Sequence, residues 1–519
     1  MTPRESARIL IENSDSEVYA GQRSHQPALR ALAGSATRID ERSATLGRRL
    51  ARARPWLSRA VPVVAVLCLL AWCYVSVRSD FSADDADSEI LSQAWRLDRG
   101  ENIYRGVDTP PFAFAAYTPL YYGAVAFLLK FTGLSFLPAK LLSFLAALSI
   151  GWAMVCLCRL WNRAAREGLW TTFFLFLIPA FFYNAVRSHP QMMAVAFSVW
   201  SLYFFLRDRR WETLVLSPLL AVLAFYTKQT QVALPLAMFA WLALRKRRWL
   251  VPYVATTAVA GLIPLLWLQK ATGGLFLFDT VQLTRLAYST LQIVPVFIHH
   301  AGPIFLFIGL ALRAAWPRFR NGQWDQIDLY FGCALLTTLV SLGRVGAHGQ
   351  YVLELLVVTL LYLLRTCGLP SVRGRDALVA AQVALLLIYA PLYVSLEEGL
   401  HDKACSRAAQ IIYPLLKTGT GPILSEQGSF ALFGRGEVHV QLFHFAALSR
   451  AGLWDQALLL NEIDRRAFSW VITEFPIEMP ISSDMDRERL TPEVLQALRQ
   501  NYQRRQTVYP YYLYGPSSP

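Results

Sequence analysis

Long apolar segments separated by short polar loops run through most of the chain. Apolar runs of roughly 16 to 22 residues recur between Val61 and Leu396, and about 20 residues of helix are needed to cross the hydrocarbon core of a bilayer. The runs lie near 61–77, 134–158, 169–185, 190–206, 211–227, 230–244, 249–268, 291–312, 326–343, 351–365 and 376–396. This pattern predicts a polytopic α-helical membrane protein.

Basic loops predict how these helices are oriented. They occur at every second boundary between apolar runs, at Arg159–Arg166, Arg207–Arg210, Arg245–Arg248, Arg313–Arg320 and Arg365–Arg375. The positive-inside rule places such loops in the cytoplasm. All five can lie there only if the short segment 113–131 enters the membrane without crossing it. The sequence therefore predicts about 11 transmembrane helices, or up to 13 if 113–131 crosses and a neighbour splits. The N-terminus is then cytoplasmic and the C-terminus extracytoplasmic.

The polar pattern divides the chain into three parts. Residues 1–55 are predicted to be a mobile basic cytoplasmic tail, and 56–396 the transmembrane domain. In the outer loop 78–116, residues 87–98 carry apolar side chains at helical spacing, which predicts an amphipathic helix on the outer surface. After Leu396, short strands are predicted at 421–425, 437–440 and 469–473, and helices at 443–467 and 491–504. We expect 397–519 to form a small extracytoplasmic α/β domain.

Composition supports the membrane prediction and excludes an ordinary soluble protein. Hydrophobic residues make up 55% of the 519 residues and charged residues 17%, whereas soluble domains are about 25% charged. The net charge of +14 does not indicate nucleic-acid binding. The basic residues instead cluster in short loops beside the apolar runs, where anionic membrane lipids attract them.

Five carboxylates follow the first apolar run within ten residues. This acidic stretch, 80–89, contains Asp80, Asp84, Asp85, Asp87 and Glu89. The spacing from Ser82 to Asp85 fits a helix-capping box, which would account for one or two of the acids but not for all five. Asp84, Asp85 and Asp87 could also hold a divalent cation such as Mg²⁺ or Mn²⁺, because hard cations prefer oxygen ligands.

Cations also lie in predicted outer loops, against the positive-inside trend, and three of them are candidate phosphate ligands. They are Arg187, Lys228 and Arg344, and a bound phosphate would supply the anionic partner that each of them needs. Arg187 and Arg344 could instead extend to lipid headgroups, and Lys228 could form a structural ion pair. His189 and His348 also fit a structural hydrogen-bonding role. Glu354, one turn into an apolar run, must face protein or a cavity.

The order of these motifs resembles the GT-C superfamily of membrane glycosyltransferases, in its bacterial branch related to protein mannosyltransferases and aminoarabinose transferases. The resemblance covers residues 60–519. Besides the acidic stretch it rests on Asn102-Ile103-Tyr104-Arg105, Tyr117-Thr118-Pro119-Leu120-Tyr121-Tyr122, Thr227-Lys228-Gln229-Thr230 and Gly346-x-x-Gly349-Gln350-Tyr351-x-x-Glu354. Many relatives have Asp-Glu where this chain has Asp84-Asp85, so the register of the key acid stays open.

The resemblance implies an inverting transfer of a hexose or pentose from a polyprenyl-phosphate donor to a glycan, lipid or protein acceptor, at the outer face of a bacterial plasma membrane. It implies that Asp84 or Asp85 acts as general base, with Asp80 and Asp87 as reserves. Under the same resemblance, Lys228, Arg187 and Arg344 would bind the donor phosphate. The sugar or the acceptor would contact Glu354, Gln350, Tyr117, His189 and His348.

Two other classes of protein also fit a polytopic chain. A secondary transporter is disfavoured because the sequence lacks two matching hydropathy halves with Gly/Pro-broken helices and carries a sizeable segment after the last apolar run. A membrane scaffold or sensor with an outer α/β domain would leave the acidic stretch and the outer cations without a shared role.

Overall fold

A computed structural model describes residues 59–74, 76, 81–82, 84–366, 376–393, 398–480 and 488–518. The predicted tail 1–55 and the reserve base Asp80 lie outside these residues. In chain order the helices are α1 Arg59–Tyr74, α2 Asp85–Asp98, α3 Pro119–Thr132, α4 Leu137–Leu160, α5 Ala165–Leu175, α6 Pro179–Asn184, α7 Gln191–Leu206, α8 Ser217–Thr227, α9 Ala233–Arg245, α10 Arg247–Ala271, α11 Leu275–Leu277, α12 Ile293–Ala301, α13 Phe305–Arg320, α14 Gln326–Leu342, α15 Leu353–Thr366, α16 Asp376–Leu392, α17 Glu398–Leu416, α18 Gly428–Arg435, α19 Leu442–Arg450, α20 Ala457–Asp464 and α21 Pro492–Asn501. The strands are β1 Ile423–Ser425, β2 Trp470–Thr473, β3 Tyr502–Val508 and β4 Tyr511–Pro516.

The predicted apolar runs form helices. Within the described residues, four helical segments are long and apolar enough to cross a membrane, namely Leu137–Leu160, Arg247–Ala271, Thr290–Arg320 and Gly349–Thr366. Shorter apolar helices occupy most of the other runs. The run 169–185 is divided into α5 and α6, because Pro179 cannot donate a backbone hydrogen bond and disfavours helix in the residue before it. The chain is a multi-pass membrane protein, and the count of 11 crossings stays a prediction.

The segment 113–131 forms helix only in its second half. Helix α3 begins at Pro119, after Thr118, and ends before Gly133, whose φ is 68°. Its 14 residues extend over about 21 Å, less than the roughly 30 Å of a hydrocarbon core. This length agrees with the prediction of a helix that does not cross fully.

Helix α2 exists as predicted, but its predicted place on the outer surface is wrong. Both its apolar and its polar residues are buried, among them Asp87, Glu89, Leu91 and Gln93. Helix α3 packs against one side of α2 and α18 against another. The sequence shows the amphipathic spacing of α2 but not the C-terminal helix that covers its polar face.

Within the described residues the C-terminal strands form one four-stranded sheet of order β1-β2-β4-β3. Strands β1 and β2 are parallel, with Ile423 opposite Trp470, while β4 runs antiparallel to both β2 and β3. The strands predicted at 421–425 and 469–473 are therefore confirmed.

One strand prediction for this region is wrong, and the two helix predictions are confirmed only in part. The segment 437–440 makes only an isolated bridge, between Val440 and Phe112. The helix predicted over 443–467 is interrupted between α19 and α20, where Gly452 has a φ of 67°. The helix predicted over 491–504 ends at Asn501, because the chain turns into β3.

The C-terminal residues 398–518, here called the C-terminal unit, share their core with the loop after α2. Phe112 and Phe114 belong to the same buried cluster as Phe445 and Trp454. Trp454 donates its indole N–H to the carbonyl of Val107 at 3.0 Å. This shared core holds the C-terminal unit against the end of the helix bundle that carries the acidic stretch.

Candidate active site

A cavity of about 510 Å³ lies between the helix bundle and the C-terminal unit. Eight of the eleven predicted site residues that the structure describes line it, namely Asp84, Asp85, Tyr117, Arg187, His189, Arg344, His348 and Gln350. They come from four separate parts of the chain, so the fold brings together residues up to 266 positions apart. The other three, Asp87, Lys228 and Glu354, do not line the cavity.

Asp84 lies at the N-cap of α2 and pairs with Arg187. Its Oδ1 accepts a hydrogen bond from the backbone N–H of Ala86 at 3.1 Å, and its Oδ2 lies 2.9 Å from Arg187 Nη2. Burial alone would raise the pKa of Asp84, but the charge of Arg187 and two nearby histidines hold it below its usual value. Asp84 is therefore ionised and faces the cavity.

Asp87 takes part in the same ion pair from inside the protein. It is fully buried, and its Oδ2 accepts hydrogen bonds from Arg187 Nε at 2.8 Å and Ser82 Oγ at 2.8 Å. Burial raises the pKa of Asp87 to about 6, with Arg187 opposing the rise. Asp87 does not line the cavity, so it serves to position Arg187 rather than to contact a substrate.

Asp85 faces the C-terminal unit. Its Oδ1 accepts a hydrogen bond from the backbone N–H of Gly428 at 3.2 Å. Burial and then the charge of Glu89 raise the pKa of Asp85 well above its usual value, and Arg489 offsets only part of that rise. The two adjacent acids thus differ, Asp84 being ionised and Asp85 favouring its protonated form.

Lys228 is a buried ammonium just behind the cavity wall. It follows α8, and its Nζ donates to Gln350 Oε1 at 3.1 Å. The same Nζ lies 5.3 Å from the ring centre of Tyr117 and 4.6 Å from that of Tyr351. Burial and, secondarily, the charge of Arg344 lower its pKa to about 7. No carboxylate among the described residues pairs with it, so the structural ion pair considered for Lys228 is not present there.

Arg344, like Lys228, has no carboxylate partner among the described residues. Its Nη2 donates to the backbone carbonyl of Thr284, while its buried Nε has no hydrogen-bond partner among the residues that the structure describes. Backbone contacts hold this segment to the loop before α12. Arg344 forms an isolated antiparallel β-bridge with Tyr288, and the N–H of Ser289 donates to the carbonyl of Gly343 at 2.7 Å. Arg187 differs from Lys228 and Arg344, because Asp84 and Asp87 compensate its charge.

The remaining predicted residues fall into two groups. Tyr117, His189, His348 and Gln350 line the cavity, with the ring of His189 packed edge-on against Tyr117 at 5.8 Å. Glu354 does not line the cavity, and it accepts a hydrogen bond from Tyr330 at 2.8 Å. A direct contact of Glu354 with a sugar therefore has no support from this geometry.

The acids do not form a metal-binding cluster among the described residues. No three side chains of His, Cys, Asp or Glu there come together in a way that could hold a metal ion. Asp84 and Asp87 face Arg187, and Asp85 faces the backbone of Gly428. A bound Mg²⁺ or Mn²⁺ stays an untested expectation.

The C-terminal unit adds cavity residues that the sequence did not indicate. His444 Nδ1 lies 3.1 Å from Glu89 Oε2, and Arg489 Nη1 lies 2.7 Å from Glu474 Oε2. All four line the cavity. His444 stands in an ordinary amphipathic helix, and no local motif marks Arg489, so only the tertiary pairing reveals them.

Known proteins resemble the chain in sequence over a limited region and in fold over most of its length. The family model described as dolichyl-phosphate-mannose-protein mannosyltransferase matches residues 116–268. ArnT from Cupriavidus metallidurans bound to undecaprenyl phosphate has a TM-score of 0.60 and 13% identity, over 88% of this chain and 98% of that one. The apo state of that ArnT gives a TM-score of 0.59 at 13% identity, over 87% and 97%.

The apo oligosaccharyltransferase of Archaeoglobus fulgidus also resembles the chain. It has a TM-score of 0.50 at 12% identity, over 80% of this chain and 69% of that one. No curated protein sequence matches the chain. At these identities the structural likeness establishes the fold, and the resemblance of this chain to the GT-C membrane glycosyltransferases is confirmed.

Proposed function

We propose that the protein is a glycosyltransferase that moves a sugar from a polyprenyl-phosphate donor to an acceptor hydroxyl with inversion at the anomeric carbon. The observation that carries this proposal is that one cavity is lined by an ionised carboxylate, Asp84, and by Arg344, while Lys228 lies behind its wall, and neither cation has a carboxylate partner among the described residues. A carboxylate beside the nucleophile and cations beside a phosphate leaving group are what such a displacement requires. The likeness to ArnT bound to undecaprenyl phosphate supports a lipid-phosphate ligand.

In the proposed reaction the acceptor oxygen attacks the anomeric carbon and its proton passes to Asp84. The bond from that carbon to the phosphate oxygen breaks, and the polyprenyl phosphate leaves with the electron pair. Arg344 lines the cavity and contacts the phosphate, while Lys228 stabilises the developing charge from behind Gln350 and Tyr351. A charge in such a water-poor setting acts more strongly than it would in bulk water.

Asp84 is the better candidate for the base, because its pKa direction keeps it ionised. Asp85 would first have to lose a proton that its buried, acidic surroundings favour. Arg187 is then a positioning residue rather than a phosphate contact, since its guanidinium holds Asp84 and Asp87. The sugar, the acceptor and the face of the membrane at which transfer takes place are expectations from the sequence.

The test compares Asp84→Asn with Asp85→Asn in the full chain in lipid nanodiscs. A panel of undecaprenyl-phosphate-linked hexoses and pentoses is supplied with an envelope fraction as acceptor, and the release of undecaprenyl phosphate is measured. Asp84→Asn should slow release by about 100-fold or more, since general-base catalysis contributes 10²–10⁴-fold. Asp85→Asn should cost much less.

Asp108→Asn, in the same loop but exposed, is the matched control and should leave the rate unchanged. Undecaprenyl phosphate binding should survive in both test variants, which separates lost chemistry from lost folding. Full turnover by Asp84→Asn, or no turnover of any donor by the wild type, would overturn the proposal.

A further inference from the structure

Glu89 lines the cavity but has no part in the proposed reaction. It lies one turn after Asp85 on α2 and is only 7% exposed. Its Oε2 lies 3.1 Å from His444 Nδ1, whereas its Oε1 has no hydrogen-bond partner within the described residues. A buried carboxylate oxygen without a partner is costly, so a ligand that donates a hydrogen bond there would be favoured.

The charges around Glu89 indicate what kind of group fits. On the side formed by α2 and the C-terminal unit, Arg489 is engaged by Glu474 at 2.7 Å. That pairing leaves Asp85 and Glu89 without a full cationic partner. On the side formed by the turn after α8 and the segment before α15, Lys228 and Arg344 are the uncompensated charges. The cavity therefore has a cationic side suited to phosphate and an acidic side suited to a hydrogen-bond donor.

A purely structural role for the Glu89–His444 pair is the simpler alternative. The pair joins two elements 355 positions apart, and the ring of His444 also packs edge-on against Phe114 at 5.3 Å. A structural contact between Glu89 and His444 needs only one carboxylate oxygen. It gives no reason for the second oxygen to be left without a partner in a residue that lines a cavity.

We propose that Glu89, oriented by His444, forms the acceptor subsite, and that this subsite selects a neutral or amine-bearing hydroxyl compound over an anionic one. The inference rests on the proposed function, because it takes the donor phosphate to occupy the side of Lys228 and Arg344. Glu89 Oε1 accepts a hydrogen bond from the acceptor, and the Glu89 carboxylate repels carboxylate or phosphate groups. The acceptor is then an uncharged glycan or an amino sugar rather than an acidic or phosphorylated one.

The experiment uses three methyl glycosides of the same ring, one neutral, one with an amine and one with a carboxylate. Their affinities are measured by saturation-transfer NMR on the full chain in nanodiscs, with undecaprenyl phosphate already bound to fill the cationic side. The amine probe should bind about tenfold more tightly than the carboxylate probe, the factor expected from one weakly screened charge contact. Glu89→Gln should remove most of that preference and change undecaprenyl phosphate affinity less than twofold.

Two further variants keep the test decisive. Glu493→Gln, an exposed acid of the C-terminal unit, is the matched control and should keep the full preference. His444→Phe retains the packing against Phe114 but removes the imidazole nitrogen that lies 3.1 Å from Glu89 Oε2. This variant should lower the affinity for the amine probe several-fold, while the amine probe still binds more tightly than the carboxylate probe. It provides the test of the proposal if Glu89→Gln fails to fold.

The outcomes separate the two proposals. Failure of undecaprenyl phosphate to bind would overturn the proposed function and this inference with it. Normal binding of undecaprenyl phosphate would overturn this inference alone in any of three cases. These are a carboxylate probe that binds best, no saturable binding of any probe, and a preference that Glu89→Gln leaves intact.

Discussion

At the scale of single residues, position along one helix decides the charge of two adjacent acids. Asp84, at the N-cap of α2, has the backbone N–H of Ala86 and the guanidinium of Arg187 as partners, and both favour the ionised form. Asp85 is turned toward Gly428 and Glu89, and its surroundings favour the protonated form. Asp84 can thus act as a base, whereas the adjacent Asp85 is a potential hydrogen-bond donor.

Lys228 predicts a pH dependence of lipid-phosphate binding. Because its pKa is lowered to about 7, the ammonium is charged below pH 7 and increasingly neutral above it. Since phosphate favours the charged form, the affinity for undecaprenyl phosphate should fall by up to about tenfold per pH unit above pH 7. The second pKa of a phosphate monoester is about 6, so its ionisation is nearly complete at pH 7 and does not produce a slope above that pH.

The measurement is the dissociation constant of undecaprenyl phosphate at pH 6, 7, 8 and 9 for wild type and Lys228→Met. The variant should bind more weakly at pH 6 and show no slope above pH 7. An equal slope in both proteins would assign the titration to another group.

Asp279 predicts a pH dependence of stability. Its Oδ2 accepts a hydrogen bond from Arg105 N–H at 3.0 Å, its Oδ1 has no partner in the described residues, and burial raises its pKa to about 8. The folded state then holds a proton between about pH 4 and 8 that the unfolded state has lost, so stability falls as pH rises through this range.

Asp279→Asn mimics the protonated acid and should remove this loss. Its thermal midpoint in detergent should exceed that of the wild type by a margin that grows from pH 5 to pH 8 and then stops growing. Asp108→Asn, exposed in the neighbouring loop, should follow the wild type. A constant margin at every pH would contradict the assigned pKa.

At the scale of elements, the close approach of α2 and α18 fixes the acidic side of the cavity. The backbone of Gly428 begins α18 directly against Ser88 and Asp85. A Cβ at this position would lie 2.6 Å from Ser88 Oγ and 3.4 Å from Asp85 Oδ1. Ser88 Oγ cannot move freely, because it is buried and donates to the carbonyl of Asp85 at 2.7 Å.

Gly428→Ala should therefore push α18 away from α2 and lengthen the hydrogen bond to Asp85. We expect a loss of about 1–3 kcal/mol of stability, the usual cost of overpacking, together with slower transfer. Gly123→Ala, in α3 with no atom within 4 Å of the added Cβ, should be neutral or slightly stabilising. Thermal midpoints and rates that are the same for both variants would contradict this role of Gly428.

The apolar helices and several of the charged cavity residues could be predicted from the sequence, because both leave local signals. A long apolar run predicts a helix without knowledge of its neighbours, and Arg344 stands out because it contradicts the charge pattern of its loop. Strand β3 is different, since Tyr502–Val508 is mostly polar and exposed and gives no apolar alternation to detect. The partners of Glu89 and Asp85 were equally hidden, because His444 and Gly428 acquire their roles only when α18 and α19 pack on α2.

At the scale of the whole molecule, the cavity depends on how the C-terminal unit docks on the loop after α2. Backbone hydrogen bonds join Phe112 N–H to His439 O at 2.7 Å and Gln441 N–H to Phe112 O at 3.0 Å. The contact is continuous with the shared core of Phe445 and Trp454. The unit supplies one wall of the cavity. A substitution that changes how the unit docks should therefore alter catalysis even when the substituted residue does not line the cavity.

Gln441 offers the sharpest test of this dependence. Its buried side-chain amide accepts from Phe114 N–H at 3.2 Å and donates to Phe114 O at 3.2 Å, so it completes the pairing of the two segments. Gln441→Ala leaves both backbone groups of Phe114 buried without these partners, which should cost about 2 kcal/mol or more. Limited proteolysis should then cut the C-terminal unit faster, and the acceptor KM should rise while undecaprenyl phosphate affinity stays near that of the wild type.

Gln503→Ala, on an exposed position of β3, should change none of these quantities. If Gln441→Ala weakened undecaprenyl phosphate binding as much as it raised the acceptor KM, docking of the unit would shape the whole cavity rather than its acidic side.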